Sequence, residues 1–417
     1  MSTLPDTLVT VVEDLDSVTT IGAEDDPAAA GLTAGEVAAL WESVRAWYRL
    51  GTTPAIQVCV RRNRKIVLNR AIGHGWGNSP GDAADATKVL ATPETPFCGF
   101  STAKGVAAAL MFMLIEQGAF GFDDPVSRYI PEFAANGKER ITIGHVLTHS
   151  AGVPFVTPPY KGFELVVDEE LAVRGLADLV PSWPPGRFRI YHAMTSGLIQ
   201  RLLVQRATGK RMREHLAEQV LTPLGFRWNN FGVRPQDVDR VVAGVKTGPG
   251  PSRISKYLAR KALGGGMGGA VSDAATRTFL TAELPSGNLV TTAAELSRFY
   301  EILTHGGELD GVRIMRPDTL RAAMQPAPWL PGLAGRVSRA GFELGGRRSK
   351  FGRDTQSHFG RSGLTTQYGW ADPARGLSGA ILTSGKATTD TQRPTQLVAQ
   401  ISATVDRLGD GDKPSWL

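Results

Sequence analysis

The sequence predicts an α/β (α+β) protein, with one antiparallel sheet built from both chain ends, flanking helices, and a largely helical region inserted between. Three observations carry that prediction. Strand-like apolar segments broken by a turn occur before residue 100, helical periodicity dominates from about 101 to 280, and strand signals return in the last third before a closing helix. At 417 residues the chain exceeds an average domain. The expected partition is an arm at 1–30, a mixed sheet lobe from 31–100 and 285–417, and a helical lobe at 101–284, with the active site in the cleft between the lobes.

Residues 1–30 are acidic and Ala/Gly-rich without sustained periodicity, and read as a loosely docked arm. Thr33, with Glu36 three residues on, has the form of a capping box, and Val37, Leu40, Trp41, Val44 and Trp47 follow at helical spacing. Apolar stretches at 56–60 and 66–68 flank Arg61-Arg62-Asn63-Arg64-Lys65, which reads as a hairpin with a solvated turn. A loop rich in Gly, Pro, Asp and Ala covers 73–95. A strongly apolar helix is expected over 101–117, stopped by Gly118. Helices follow at 141–149, 194–208 and 212–220, strands at 367–372 and 377–383, and a last helix near 388–407. The glycine run at 264–269 has no preceding strand and no Gly-Lys-Ser/Thr after it, so it reads as a surface loop and not a phosphate cradle.

Composition narrows the function classes. The net charge is +6, but the cations are scattered among acids, which argues against a nucleic-acid surface. No apolar run reaches the roughly 18 residues that span a bilayer, so no transmembrane segment is expected. The first residues lack a basic n-region followed by an apolar stretch, and a cytoplasmic protein is the expectation. Two cysteines, Cys59 and Cys98, sit in apolar contexts and read as buried free thiols, too few for a disulfide framework or a zinc site.

The sharpest chemical signal is Ser101-Thr-Ala-Lys104 at the mouth of the apolar helix, and no other Ser stands three residues before a Lys in the chain. Three residues on a helix turn about 300° and rise ~4.5 Å, which makes the two side chains neighbours. A serine hydroxyl is a weak nucleophile until a base takes its proton, and a nearby ammonium favours anionic character around it. Helix N-terminal N–H groups, including that of Ser101, suit a developing oxyanion. Further on, Tyr191 stands just before another apolar helix, where a phenol near a lysine can be held partly ionised and serve as a base.

These segments, together with Ile141-Thr-Ile-Gly-His-Val-Leu-Thr-His-Ser-Ala-Gly152, Pro185-Gly186, the stretch Leu284 to Tyr300 and Gly369-Trp-Ala-Asp-Pro373, resemble the serine β-lactamase-related family over about residues 33–405. That family holds class C β-lactamases, D-Ala-D-Ala carboxypeptidase-type penicillin-binding proteins, family VIII carboxylesterases and some acyltransferases. The resemblance implies the β-lactamase/transpeptidase-like fold, Ser101 as acylated nucleophile, Lys104 as its partner and Tyr191 as base, with no metal or organic cofactor.

Two departures bear on the substrate. The usual Y-x-N is Tyr191-His192-Ala193, which lacks the amide that holds a β-lactam or peptide. The third motif, usually K-T-G or H-x-G, is Arg361-Ser362-Gly363; an arginine keeps the charge but cannot act as a base, so its expected role is electrostatic or positioning. His358 is the lesser candidate for that place. On the resemblance, the N–H of Leu364 is the second oxyanion donor. Lys246-Thr247-Gly248 spells the motif literally but precedes Pro249-Gly250-Pro251, and Ser272-Asp273-Ala274 is a partial S-D-N look-alike out of order. Ser101 has no G-x-S-x-G elbow, His145 and His149 read as core histidines, and Asp123-Asp124 reads as a turn or cap.

The expected activity is that of a serine carboxylesterase acting on short- to medium-chain acyl esters, small molecules, through a Ser101 acyl-enzyme. Trp183, Tyr160, Phe155 and Trp370 are candidate walls of an apolar acyl pocket. Rival readings are an acyltransferase, a β-lactamase or carboxypeptidase, and a non-catalytic binding protein that has kept the pocket. The sequence leaves the oligomeric state open.

Overall fold

A computed structural model describes residues 7–249, 253, 257, 271–332, 334–409 and 411–417. Its centre is an eight-stranded antiparallel sheet drawn from both ends of the chain. The strands are β1 Thr19–Ile21, β2 Ala55–Arg62, β3 Lys65–Trp76, β4 Val89–Leu90, β5 Glu343–Leu344, β6 Phe359–Ser362, β7 Tyr368–Asp372 and β8 Leu377–Thr383, in the order β1-β3-β2-β8-β7-β6-β5 with β4 paired to β3. The central seam joins the two ends: β8 runs against β2 from Leu377↔Arg62 to Thr383↔Ile56.

Local chemistry explains the elements that frame the site. Helix α1, Ala34–Tyr48, starts at the expected capping box, the Thr33 hydroxyl accepting from Glu36 N–H and the Glu36 carboxylate accepting from Thr33 N–H. The hairpin between β2 and β3 turns at Asn63 and Arg64, both at positive φ (49° and 67°), as a tight two-residue turn requires. Helix α2, Ala103–Glu116, is apolar nearly all round and buried over its first twelve residues, so it runs through the core and not along the surface. Helices α3 Ile143–Leu147, α4 Thr195–Thr208 and α5 Met212–Leu216 follow in the helical region; α6 Ala293–Thr304 lies on the sheet, and α7 Arg393–Thr404 closes the chain.

The sheet separates two cores. One face meets α1 and α7 around Trp41, Val44, Trp370 and Tyr368; the other meets α6 and, beyond it, α2 and the helical region.

Three expectations need correcting. Residues 1–30 are not loosely docked where described: Thr19–Ile21 is a sheet strand paired to Ile72–Arg70, and Val9 N–H donates to the Gly51 carbonyl. The basic turn is only partly solvated, because Arg61 and Arg62 are buried. Arg61 donates to Ser297 and Glu301, and Arg62 to the carbonyls of Ala30, Gly31 and Asp406. Helix 212–220 is an α-helix only to Leu216, then widens into a π-turn over Ala217–Leu221. The 264–269 glycine run lies outside the described residues. Cys59 and Cys98 are buried and free, and no described helix is long and apolar enough to cross a membrane.

Candidate active site

Ser101 sits in a 3-10 turn, Phe100–Thr102, that feeds directly into α2. The residue before it, Phe100, takes φ 48°, a left-handed conformation costly for a bulky side chain. One helical turn on, the Lys104 ammonium is buried and all three of its donors are used. It donates to Ser101 Oγ (3.3 Å) and to the carbonyls of Ala193 (3.0 Å) and Ser286 (2.6 Å). Ser101 Oγ donates to the same Ser286 carbonyl at 3.2 Å. Burial, only partly opposed by Tyr191, pushes the Lys104 pKa down to about 8, so the group is mainly a cation at neutral pH.

Tyr191 completes the cluster. The Lys104 Nζ lies 4.8 Å and the Arg361 guanidinium carbon 5.4 Å from its ring centre. Burial alone would raise the phenol, but the charges of Lys104 and Arg361, with hydrogen bonds from Lys104 and Ser101, bring it below its ordinary value. Tyr191 is half-buried, and a phenol held below its ordinary value is better able to accept a proton.

Arg361 comes from the end of β6. Its Nη1 donates to the Gly341 carbonyl (3.0 Å) and its Nη2 meets His149 Nε2 (2.5 Å); among the described residues neither partner is a carboxylate. Ser362 is tied instead to Glu343, whose carboxylate accepts from both its N–H (3.0 Å) and its hydroxyl and pairs with Lys350 at 2.7 Å. Burial would raise Glu343; Lys350 and Arg361 hold it below the usual carboxylate range.

Two cavities meet at the nucleophile, sharing Ser101, Tyr191 and Leu364. One, about 330 Å³, has Phe100, Phe163, Met194, Phe279 and Leu284 among its walls. The other, about 670 Å³, is bordered by Arg336, Glu343, Lys350, Arg361 and Ser362.

The anticipated acyl-pocket walls fare differently. Trp370 is fully buried on the opposite face of the sheet: Arg361 pairs with Gly369, so Trp370, opposite Gly360, points to the α1 side. Tyr160 gives its hydroxyl to Asp178, and Trp183 packs edge-on to Phe188. Neither they nor Phe155 line the apolar cavity, whose walls come from neighbouring positions such as Phe163 and Met194.

The decoys resolve structurally. Lys246 is exposed, and Gly248 N–H donates to the Thr7 carbonyl, away from both cavities. His145 caps α3 through Thr142, His358 is stacked on Phe351 and accepts or donates at Tyr368, and Asp124 binds Gly121 N–H and Tyr129. Asp273, of the S-D-N look-alike, reaches the rim of the apolar cavity. Sequence reading took His149 for a core histidine and named neither Glu343 nor the Ser286 carbonyl.

The fold and this Ser-Lys-Tyr cluster define a β-lactamase/transpeptidase-like protein. A family model described as Beta-lactamase matches residues 44–403, and the chain belongs to that family. It is 29% identical over 299 residues to "Esterase/beta-lactamase LipL" of Mycobacterium tuberculosis, covering 68% of each chain. It is 30% identical over 213 residues to "Esterase EstB" of Burkholderia gladioli, covering 46% of this chain and 53% of that one. Among solved structures, a penicillin-binding protein homologue from Caulobacter crescentus superposes with TM-score 0.75 at 26% identity, covering 89% of this chain and 98% of that one. A family VIII carboxylesterase gives TM-score 0.75 at 23% identity over 89% and 98%, a likeness of fold.

Proposed function

We propose that the protein is a serine ester hydrolase in which Ser101 is acylated by a short- to medium-chain ester. The observation that carries the reading is the convergence of Ser101 Oγ and Lys104 Nζ at 3.3 Å beside a phenol whose pKa is depressed. In acylation the Tyr191 phenolate takes the Ser101 proton as Oγ attacks the carbonyl carbon. The N–H groups of Ser101 and Leu364 hold the oxyanion, and Lys104 offsets the charge. Collapse expels the alkoxide, which takes the proton back from Tyr191. Water then repeats the sequence: Tyr191 accepts its proton, hydroxide oxygen attacks the acyl carbon, and Ser101 leaves reprotonated.

The asymmetry of the cavities orients the substrate. The more apolar 330 Å³ side suits an acyl chain, and the 670 Å³ side, bordered by Arg336, Glu343, Lys350 and Arg361, suits the alcohol or an incoming nucleophile. The charged residues that border this larger side also support a second reading, acyl transfer to an alcohol. The relatives named esterases favour hydrolysis of esters at the level of the family. Ala193, a methyl where the family carries an amide, weighs against β-lactams.

The test is a fluorophosphonate probe and a series of p-nitrophenyl esters. Labelling and hydrolysis are expected to disappear in Ser101→Ala, with a fall of at least ~10³-fold in kcat/KM. Equal labelling of the two proteins overturns the proposal.

A further inference from the structure

His149 has a geometry that a structural core histidine does not need. It is buried, at φ 58°, with its ring 4.9 Å from Tyr191 in an edge contact and 5.9 Å from His192 in a stack. Nε2 faces the Arg361 guanidinium at 2.5 Å, and Nδ1 lies 3.3 Å from the backbone N–H of His192; the ring's single lone pair can serve only one of these donors. A guanidinium can only donate, so the shorter contact requires a lone pair on Nε2 and an imidazole without a positive charge. The surroundings agree, since burial first, then Arg361, His192, Lys104 and Arg189, push its pKa well below the ordinary value.

Arg361 is the other half of the argument. A buried guanidinium ordinarily hydrogen-bonds a carboxylate; among the described residues this one donates to the Gly341 carbonyl, meets His149 and lies over the face of Tyr191, while the Glu343 carboxylate feels its charge without accepting a hydrogen bond from it. A carboxylate at the place of His149 would cancel the charge that Tyr191 feels. A neutral acceptor fixes the guanidinium and leaves its charge intact.

We propose that His149 is a positioning residue: its neutral Nε2 holds the Arg361 guanidinium against Tyr191, so that the charge acts on the phenolate. This rests on the reading of Tyr191 as the base. It gives the arginine of the third motif a defined task, performed through a histidine from a separate segment.

The experiment reads the ionisation of Tyr191 directly, as the phenolate absorbance lost on Tyr191→Phe, so it does not depend on any ester being a substrate. In His149→Leu the Tyr191 titration midpoint is expected to rise by about one pH unit. His149→Gln, whose amide oxygen can accept from Arg361, should keep it near the wild-type value. If esters are substrates, the acid limb of kcat/KM moves with the midpoint and His149→Leu loses about ten-fold at neutral pH. In an Arg361→Gln background, His149→Leu should add no further shift. An unchanged midpoint in folded His149→Leu, or shifts that add fully to those of Arg361→Gln, overturns the proposal. A shifted midpoint with no effect of Ser101→Ala on hydrolysis would overturn the esterase reading and leave the positioning role standing.

Discussion

Tyr191, half-buried where the two cavities meet, and Tyr300, fully buried in the core, both feel Arg361, yet they are driven in opposite directions. Burial raises the Tyr300 phenol well above its ordinary value; Arg361 opposes this and the Glu343 carboxylate adds to it. Tyr191 is also desolvated, but it has Lys104 and the hydrogen bonds of Lys104 and Ser101 in addition, and ends below its ordinary value. The Tyr300 hydroxyl faces Gly105, where an added Cβ would lie 2.3 Å away, and is buried without a hydrogen-bond partner among the described residues. Consecutive residues 104 and 105 point about 100° apart on a helix, so one turn of α2 offers an ammonium to one tyrosine and bare backbone to the other. Tyr300 is fully buried with one cation and one carboxylate, whereas Tyr191 is half-buried and has two cations.

The comparison breaks most readily at Lys104. Lys104→Met keeps the length and removes the charge, and Tyr191 should then behave as Tyr300 does. We expect kcat/KM at neutral pH to fall by about 10²–10⁴-fold. The sign with pH separates this from simple damage. In the wild type the ammonium is lost as pH rises through about 8, so the rate should fall there. In Lys104→Met no such group remains, Tyr191 is protonated at neutral pH, and the rate should still climb through that range. A descending alkaline limb in the variant would show that Lys104 is not its source.

Arg361→Gln is the next smaller perturbation. It leaves Lys104 in place and removes the more distant charge, so the acid limb should move up by about one unit or less and kcat/KM fall about ten-fold. A loss equal to that of Lys104→Met would mean that the two cations do not differ as the geometry implies.

How much of this was legible in the sequence follows from the range of each contact. Ser101 and Lys104 meet through helix spacing alone, and the capping box at Thr33 and Glu36 is equally local. Strand alternation was readable as well: with Arg361 opposite Gly369, Trp370 belongs to the other face, and naming it as a pocket wall overlooked that period. His149, Glu343 and the Ser286 carbonyl come from separate segments brought together by tertiary packing, and no spacing encodes them. The buried Arg61 and Arg62 carry the same lesson, since a charge count cannot tell a solvated guanidinium from one that has found carbonyls.

Tyr300→Phe is the smallest change and tests the other side of the comparison. The hydroxyl it removes has no partner among the described residues, so none of them is left unpaired, and the desolvation cost of that group, typically about 1–3 kcal/mol, is relieved. Stability by chemical denaturation should hold or rise by up to about 1 kcal/mol, because the ring packing against Phe299, Phe342 and Phe359 is kept. Ester hydrolysis and the Tyr191 midpoint should not change. Should Tyr300→Phe instead lower the rate as Arg361→Gln does, the hydroxyl would have to act on Arg361 or α2, and the two tyrosines would be parts of one device and not a base and its inert counterpart.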